Sequence, residues 1–144
     1  MSSSMPPDPR GIESEARKRS VLIIEDVREL RAMTAAMLQA LNLETFEAED
    51  GVVGLALYRL HKPDLVITDI SMPNKDGIET IRAIKAIDPE VPIIAVSGGG
   101  RTKYPDPLRL ARNLGAVATL EKPFLRTQLL AAVALALEPG PALG

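Results

Sequence analysis

The stretch "LVITDISMPNKDG", Leu65 to Gly77, decides how this chain is read. A run of apolar and β-branched residues that does not alternate reads as a strand buried on both faces. This one ends on an acid, Asp69, and collapses at once into the turn residues Pro73, Asn74, Asp76 and Gly77. A buried strand has no packing reason to finish in a carboxylate, so Asp69 is a candidate for chemistry.

Working outward, "VLII" (21–24) and "PIIAVS" (92–97) have the same continuous apolar character, while "ETFEAE" (44–49) is more polar and "AVATLE" (116–121) is short. The first two read as further central strands and the last two as outer ones. Between them lie segments of helical period. Leu30, Met33, Met37, Leu38 and Leu41 make one apolar face, which places the methionines in the core. Ile78, Ile81, Ile84 and Ile87 make another, and Leu129, Leu130, Val133 and Leu137 a third. Further helices are predicted over Val52–His61 and Leu108–Leu114, the latter delayed by Pro105 and Pro107. Strand and helix thus alternate five times, which predicts an α/β, doubly wound (βα)5 architecture: a parallel sheet covered on both faces, with right-handed connections.

The 144 residues suit one domain. Residues 1–19, rich in Ser, Pro and charge, read as a disordered tail; 20–137 form the domain; and 138–144, "EPGPALG", form a C-terminal tail beginning where Pro139 and Gly140 end the last helix. A net charge of -2 argues against direct nucleic-acid binding or an anionic membrane partner, and no apolar run spans a bilayer. Cysteine is absent, which removes disulfides, thiolate nucleophiles and zinc-thiolate sites and fits a cytoplasmic location. Aromatic content of 3% leaves no base-stacking platform.

Ligands of open parallel sheets bind outside the carboxyl ends of the strands. In this chain those ends carry Glu25 and Asp26 after the first strand, Asp69 on the third, Ser97 on the fourth, and Lys122 with Pro123 after the fifth. Three carboxylates at one edge repel unless a cation lies among them, and Mg2+, a hard ion that takes carboxylates, water and phosphate oxygens together, suits the set. Lys122 and Ser97 supply positive charge and a donor for a phosphoryl group, and a carboxylate such as Asp69 can attack phosphorus to give an acyl phosphate. Taken singly, each residue has an ordinary explanation: Asp69 as a turn cap, Glu25 or Asp26 as the N-cap of the first helix, Lys122 as a solvated lysine. His61, the only histidine, reads as a surface residue at a helix end.

Over residues 20–137 the chain resembles the receiver domain of two-component response regulators, in the chemotaxis-regulator-like, stand-alone form. The motifs that carry the likeness are "IIED", "TDISMPNKDG", "VSG" and "EKPF", in that order. The resemblance implies a flavodoxin-like sandwich with strand order 2-1-3-4-5. It implies Asp69 as phospho-acceptor, served by a sensor histidine kinase or a histidine phosphotransfer protein. Mg2+, with Mn2+ as a substitute, is then held by Asp26, Asp69 and the Ser71 backbone carbonyl, with Glu25 acting through water. Lys122 binds phosphate, Ser97 bonds the phosphoryl oxygen, and the Lys122–Pro123 peptide is cis. The protein would be a signalling phospho-acceptor that catalyses only its own phosphoryl transfer and autodephosphorylation. Its output would be a surface around the fourth helix, fifth strand and fifth helix, read by an as yet unknown protein target or by a second copy of the chain.

Two departures from the family pattern stand out. Thr119 occupies the position where the family often keeps a switching aromatic, and "SGGGRTKYPDP" makes a long glycine-rich loop in which Gly98, Gly99 and Gly100 are free to reorder. Small residues at Ser71 and Gly99 leave room for an attacking water and predict a short-lived phosphoryl group. Two other classes compete: a receiver-like adaptor that binds partners without phosphorylation, and a phosphatase of the haloacid dehalogenase kind. The latter needs a second acid two residues after the nucleophile, where this chain has Ser71.

Overall fold

Apart from Pro92, which precedes its strand, every residue of the three apolar runs is buried, and these runs form the middle of one parallel sheet. A computed structural model describes residues 18–71, 77–98 and 105–138. Its sheet runs β2-β1-β3-β4-β5, as the family likeness implies. The strands are β1 (Ser20–Ile24), β2 (Glu44–Ala48), β3 (Leu65–Asp69), β4 (Ile93–Ser97) and β5 (Ala118–Glu121). The polar β2 and the short β5 take the edges, where one side is wet and partial exposure costs little. The helices are α1 (Arg28–Gln39), α2 (Gly51–His61), α3 (Gly77–Ile87), α4 (Pro107–Asn113) and α5 (Arg126–Leu137). Pro107 opens α4, where a missing N–H is no loss, and Asp106 caps it by accepting from the Arg109 amide at 3.2 Å.

The strict side-chain alternation of the strands divides the core in two. Leu22, Ile24, Val66 and Ile93 face one layer with Ile78, Ile81 and Ile84 of α3 and Tyr58 of α2. Val21, Ile23, Leu65, Ile67 and Ile94 face the other, with Leu38 of α1 and Leu129 and Val133 of α5. Tyr58 is fully buried, and its hydroxyl donates to Asp88 Oδ2 at 3.0 Å, joining α2 to the turn after α3. Burial, reinforced by the Asp88 carboxylate, raises the Tyr58 pKa, so the ring stays a neutral donor. Tyr58→Phe removes that bond and leaves the half-buried Asp88 carboxylate short of a donor. It is expected to cost about 1–2 kcal/mol, read as a lower urea midpoint with an unchanged slope.

Three expectations need correction. Met33 is not in the core but 49% exposed, and Leu41 is 43% exposed. The buried stripe of α1 is instead Thr34, Ala35 and Leu38. Small residues let the helix lie close to the sheet, and the Thr34 hydroxyl is satisfied by donating to the Leu30 carbonyl at 2.8 Å. Nor does Glu25 or Asp26 cap α1: the N-cap is Val27, without a side-chain cap bond. His61 is exposed, as expected, and stacks on Phe46 with ring centroids 4.0 Å apart. The expectations for Pro73, Asn74, Asp76, Gly99, Gly100, Pro139 and Gly140 lie outside the described residues.

Candidate functional site

Parallel register brings the strand ends to one edge. Thr68 is level with Ile24, and Asp69 with Val96, so Glu25, Asp69 and Ser97 come to the same edge of the sheet. Beyond β5, the Lys122 amide donates to the Ser97 carbonyl at 2.8 Å, which carries the pairing one residue further and sets the lysine beside the acids. Glu25, Asp26 and Asp69 each direct a carboxylate oxygen into a group whose atoms all lie within 4.8 Å of one another. Glu25 and Asp69 are buried, whereas Asp26 is exposed and opens the group to solvent.

Lys122 Nζ lies 2.6 Å from Asp69 Oδ2 and 2.8 Å from Glu25 Oε1. The second oxygen of each buried acid is also occupied: Glu25 Oε2 accepts from the Val27 amide at 3.0 Å, and Asp69 Oδ1 from the Ser71 amide at 2.7 Å. Burial pushes the Glu25 carboxyl above the usual range, against the lowering effect of Lys122. Burial by itself depresses the Lys122 ammonium, but its bonds to Asp69 and Glu25 outweigh this and leave its pKa raised. Three acids thus face one ammonium, an imbalance that a divalent cation corrects. The donor set, all oxygen and open on the Asp26 side, fits Mg2+.

Glu25, Asp26, Asp69, Ser71 and Lys122 are brought together directly, with Ser97 and Pro123 adjoining through Lys122, whereas Thr119 stands apart. Ser97 is buried at the end of β4. Ser71 links the loops after β3 and β4, since its hydroxyl accepts from the Gly98 amide at 3.3 Å. The Lys122–Pro123 peptide is cis. Thr119 lies one face away, on β5, where its hydroxyl accepts from Arg112 Nη1 of α4 at 3.3 Å. Beside Lys122, an apolar cleft of about 400 Å³ is lined by Leu30, Met33, Gly98, Pro123 and Phe124, which is where the exposed Met33 belongs. Arg31 was not foreseen. Its Nη1 donates to the Glu25 carbonyl at 2.7 Å, and no spacing in the sequence sets it apart from the other charged residues of α1.

Residues 21–134 match the family model of the response regulator receiver domain. The transcriptional regulatory protein PdtaR of Mycobacterium tuberculosis is 42% identical over 121 residues, covering 82% of this chain and 56% of that protein. The chain therefore spans about half the length of that relative. The chemotaxis protein CheY of Bacillus subtilis is 35% identical over 114 residues, covering 78% of this chain and 92% of that protein. Among solved structures, the Vibrio cholerae chemotaxis protein CheY4 superposes with a TM-score of 0.76 at 27% identity, covering 84% of this chain and 100% of that one. With the strand order, the acidic edge and these likenesses in agreement, the chain belongs to the response regulator receiver domain family, the phospho-accepting modules of two-component signal transduction.

Proposed function

We propose that residues 20–137 act as a phosphorylation-controlled receiver in which Asp69 takes a phosphoryl group from the phosphohistidine of a sensor histidine kinase or a histidine phosphotransfer protein. The observation that carries this reading is the setting of Asp69. Its carboxylate is buried at a strand end and held on one oxygen by Lys122 and on the other by the Ser71 amide. A carboxylate oxygen of Asp69 attacks phosphorus, the phosphorus–nitrogen bond of the donor breaks, and its electron pair leaves with the imidazole. Lys122 neutralises charge on the transferred group, and the Ser97 hydroxyl donates to one of its oxygens. Glu25, Asp26, Asp69 and the Ser71 carbonyl would hold Mg2+, or Mn2+ in its place, which when bound supplies further charge neutralisation at the phosphoryl oxygens. Water then attacks phosphorus, the bond from phosphorus to the Asp69 oxygen breaks, and inorganic phosphate leaves with the Asp69 carboxylate restored.

The donor docks against the apolar cleft formed by Leu30, Met33 and Phe124, whose rim adjoins Lys122. The output surface is the polar groove of about 590 Å³ between α4, β5 and α5, lined by Asp106, Arg112, Thr119, Glu121 and Gln128 among others. It is read by a downstream protein or by a second copy of the chain, in the cytoplasm. No described helix is long and apolar enough to cross a membrane.

Intact-protein mass after incubation with acetyl phosphate tests the reading. One phosphoryl addition is expected with Mg2+ present. Chelation with EDTA should reduce its yield about tenfold or more. Absence of any addition, under conditions that modify a control receiver, would defeat the proposal.

A further inference from the structure

Asp26 has no hydrogen-bonding partner among the described residues, so its carboxylate is aimed by the backbone that carries it. That backbone is clamped at the preceding residue. The Glu25 amide donates to the Ala48 carbonyl of β2 at 3.0 Å, and the Glu25 carbonyl accepts from Arg31 Nη1 at 2.7 Å. Arg31 is itself held from β2, with its Nε 3.4 Å from Glu47 Oε1. The four residues close a ring: Glu25 carbonyl, Arg31, Glu47, and Ala48 back to the Glu25 amide. Because the Glu25 carbonyl, the Asp26 amide and the Asp26 Cα share one rigid peptide plane, fixing that oxygen fixes the Cα from which the Asp26 side chain departs and narrows the directions open to it.

We infer that Arg31 is a positioning residue for the acidic site: it aims Asp26 through the 25–26 peptide and couples the β2 edge to cation binding. The inference rests on the proposed Mg2+ site. The residue touches neither the transferred group nor Asp69. Its effect runs through geometry, against its own charge. An arginine near three carboxylates should by Coulomb repulsion weaken a cation, so its removal would by charge alone tighten binding. Loss of the clamp acts the other way, since outer partners that orient ligand groups contribute strongly to metal affinity. The two effects have opposite signs, so one experiment separates them.

Mg2+ binding to the full chain by isothermal titration calorimetry is the readout, with wild type, Arg31→Met and Arg31→Lys compared. Arg31→Met keeps a long stem without charge or donors. Its Kd is expected to rise about threefold to tenfold, with phosphorylation from acetyl phosphate recovering to within about twofold at saturating Mg2+. Arg31→Lys keeps the charge but loses the two-pronged bridge, so a weaker rise in Kd is expected. Because it should leave the fold intact, it carries the test if Arg31→Met melts too low. Equal or tighter Mg2+ binding by both variants would overturn the clamp while leaving the metal site standing. No binding by wild type itself would overturn the site and the clamp together.

Discussion

Asp69→Asn takes up no phosphoryl group from acetyl phosphate or from a histidine donor, a drop of at least about a hundredfold that intact-protein mass reads directly. The change is nearly isosteric, so the β3 strand, buried throughout, has no reason to move. The amide oxygen can still accept from the Ser71 N–H that now bonds Asp69 Oδ1 at 2.7 Å. That places the amide nitrogen where Oδ2 meets Lys122 Nζ at 2.6 Å, donor facing donor. Lys122 is then expected to settle on Glu25, its other partner at 2.8 Å. The variant therefore loses the proposed nucleophile and one carboxylate of the proposed Mg2+ site together, while its melting temperature stays close to wild type. Asp26→Asn separates these two losses. It retains the nucleophile and should still be phosphorylated, at higher Mg2+. If Asp69→Asn instead gained a phosphoryl mass as wild type does, the acceptor would lie elsewhere and the proposed mechanism would fall.

The agreement between pattern and structure has a physical limit that particular residues make visible. Strand ends were legible because burial on both faces forces a continuous apolar run, and "VLII" and "LVIT" stop where the sheet does, apart from the Asp69 that completes β3. Parallel register then brings residues far apart in sequence to one edge, so Glu25, Asp69, Ser97 and Lys122 could be grouped from topology alone. Helix rotation was less legible. The α1 face was placed through the large residues Met33 and Leu41, but the helix approaches the sheet through Thr34 and Ala35. A threonine reads as polar in a pattern, although its hydroxyl is silenced by a carbonyl of its own helix. The Arg31 bridge was invisible for a different reason. A side-chain bond to a backbone carbonyl and a link to Glu47 of β2 depend on where the chain returns, which no local spacing encodes. The Arg112–Thr119 contact is of the same kind.

Gly77→Ala should be the most destabilising single-methyl change in the described structure. Gly77 opens α3 and is buried against the end of the acceptor strand. A Cβ there would overlap the Asp69 carbonyl oxygen and the Ile70 Cα, with the Asp69 carbonyl carbon 3.0 Å away. All three are backbone atoms, so no rotamer change relieves the overlap. Either α3 retreats from the sheet or the Asp69–Ile70 peptide is pushed out of line. The second route also disturbs the Ile70 amide, which donates to the Val96 carbonyl at 2.8 Å. A contrast is available at Gly54, where an added Cβ would meet side-chain atoms only, Ile24 Cδ1 at 2.5 Å and Cγ1 at 2.8 Å, so the buried Ile24 has to repack but no backbone has to move. Gly77→Ala is therefore expected to cost about 3 kcal/mol or more, and Gly54→Ala about 1 kcal/mol, compared as urea midpoints with unchanged slopes. In the folded fraction of Gly77→Ala, phosphorylation should also fall by about tenfold, because the strand end that aims the Asp69 carboxylate has shifted. A Gly77→Ala protein as stable as Gly54→Ala and phosphorylated like wild type would mean that α3 can withdraw without moving Asp69. The close contact of the third helix with the third strand would then play no part in holding the acceptor.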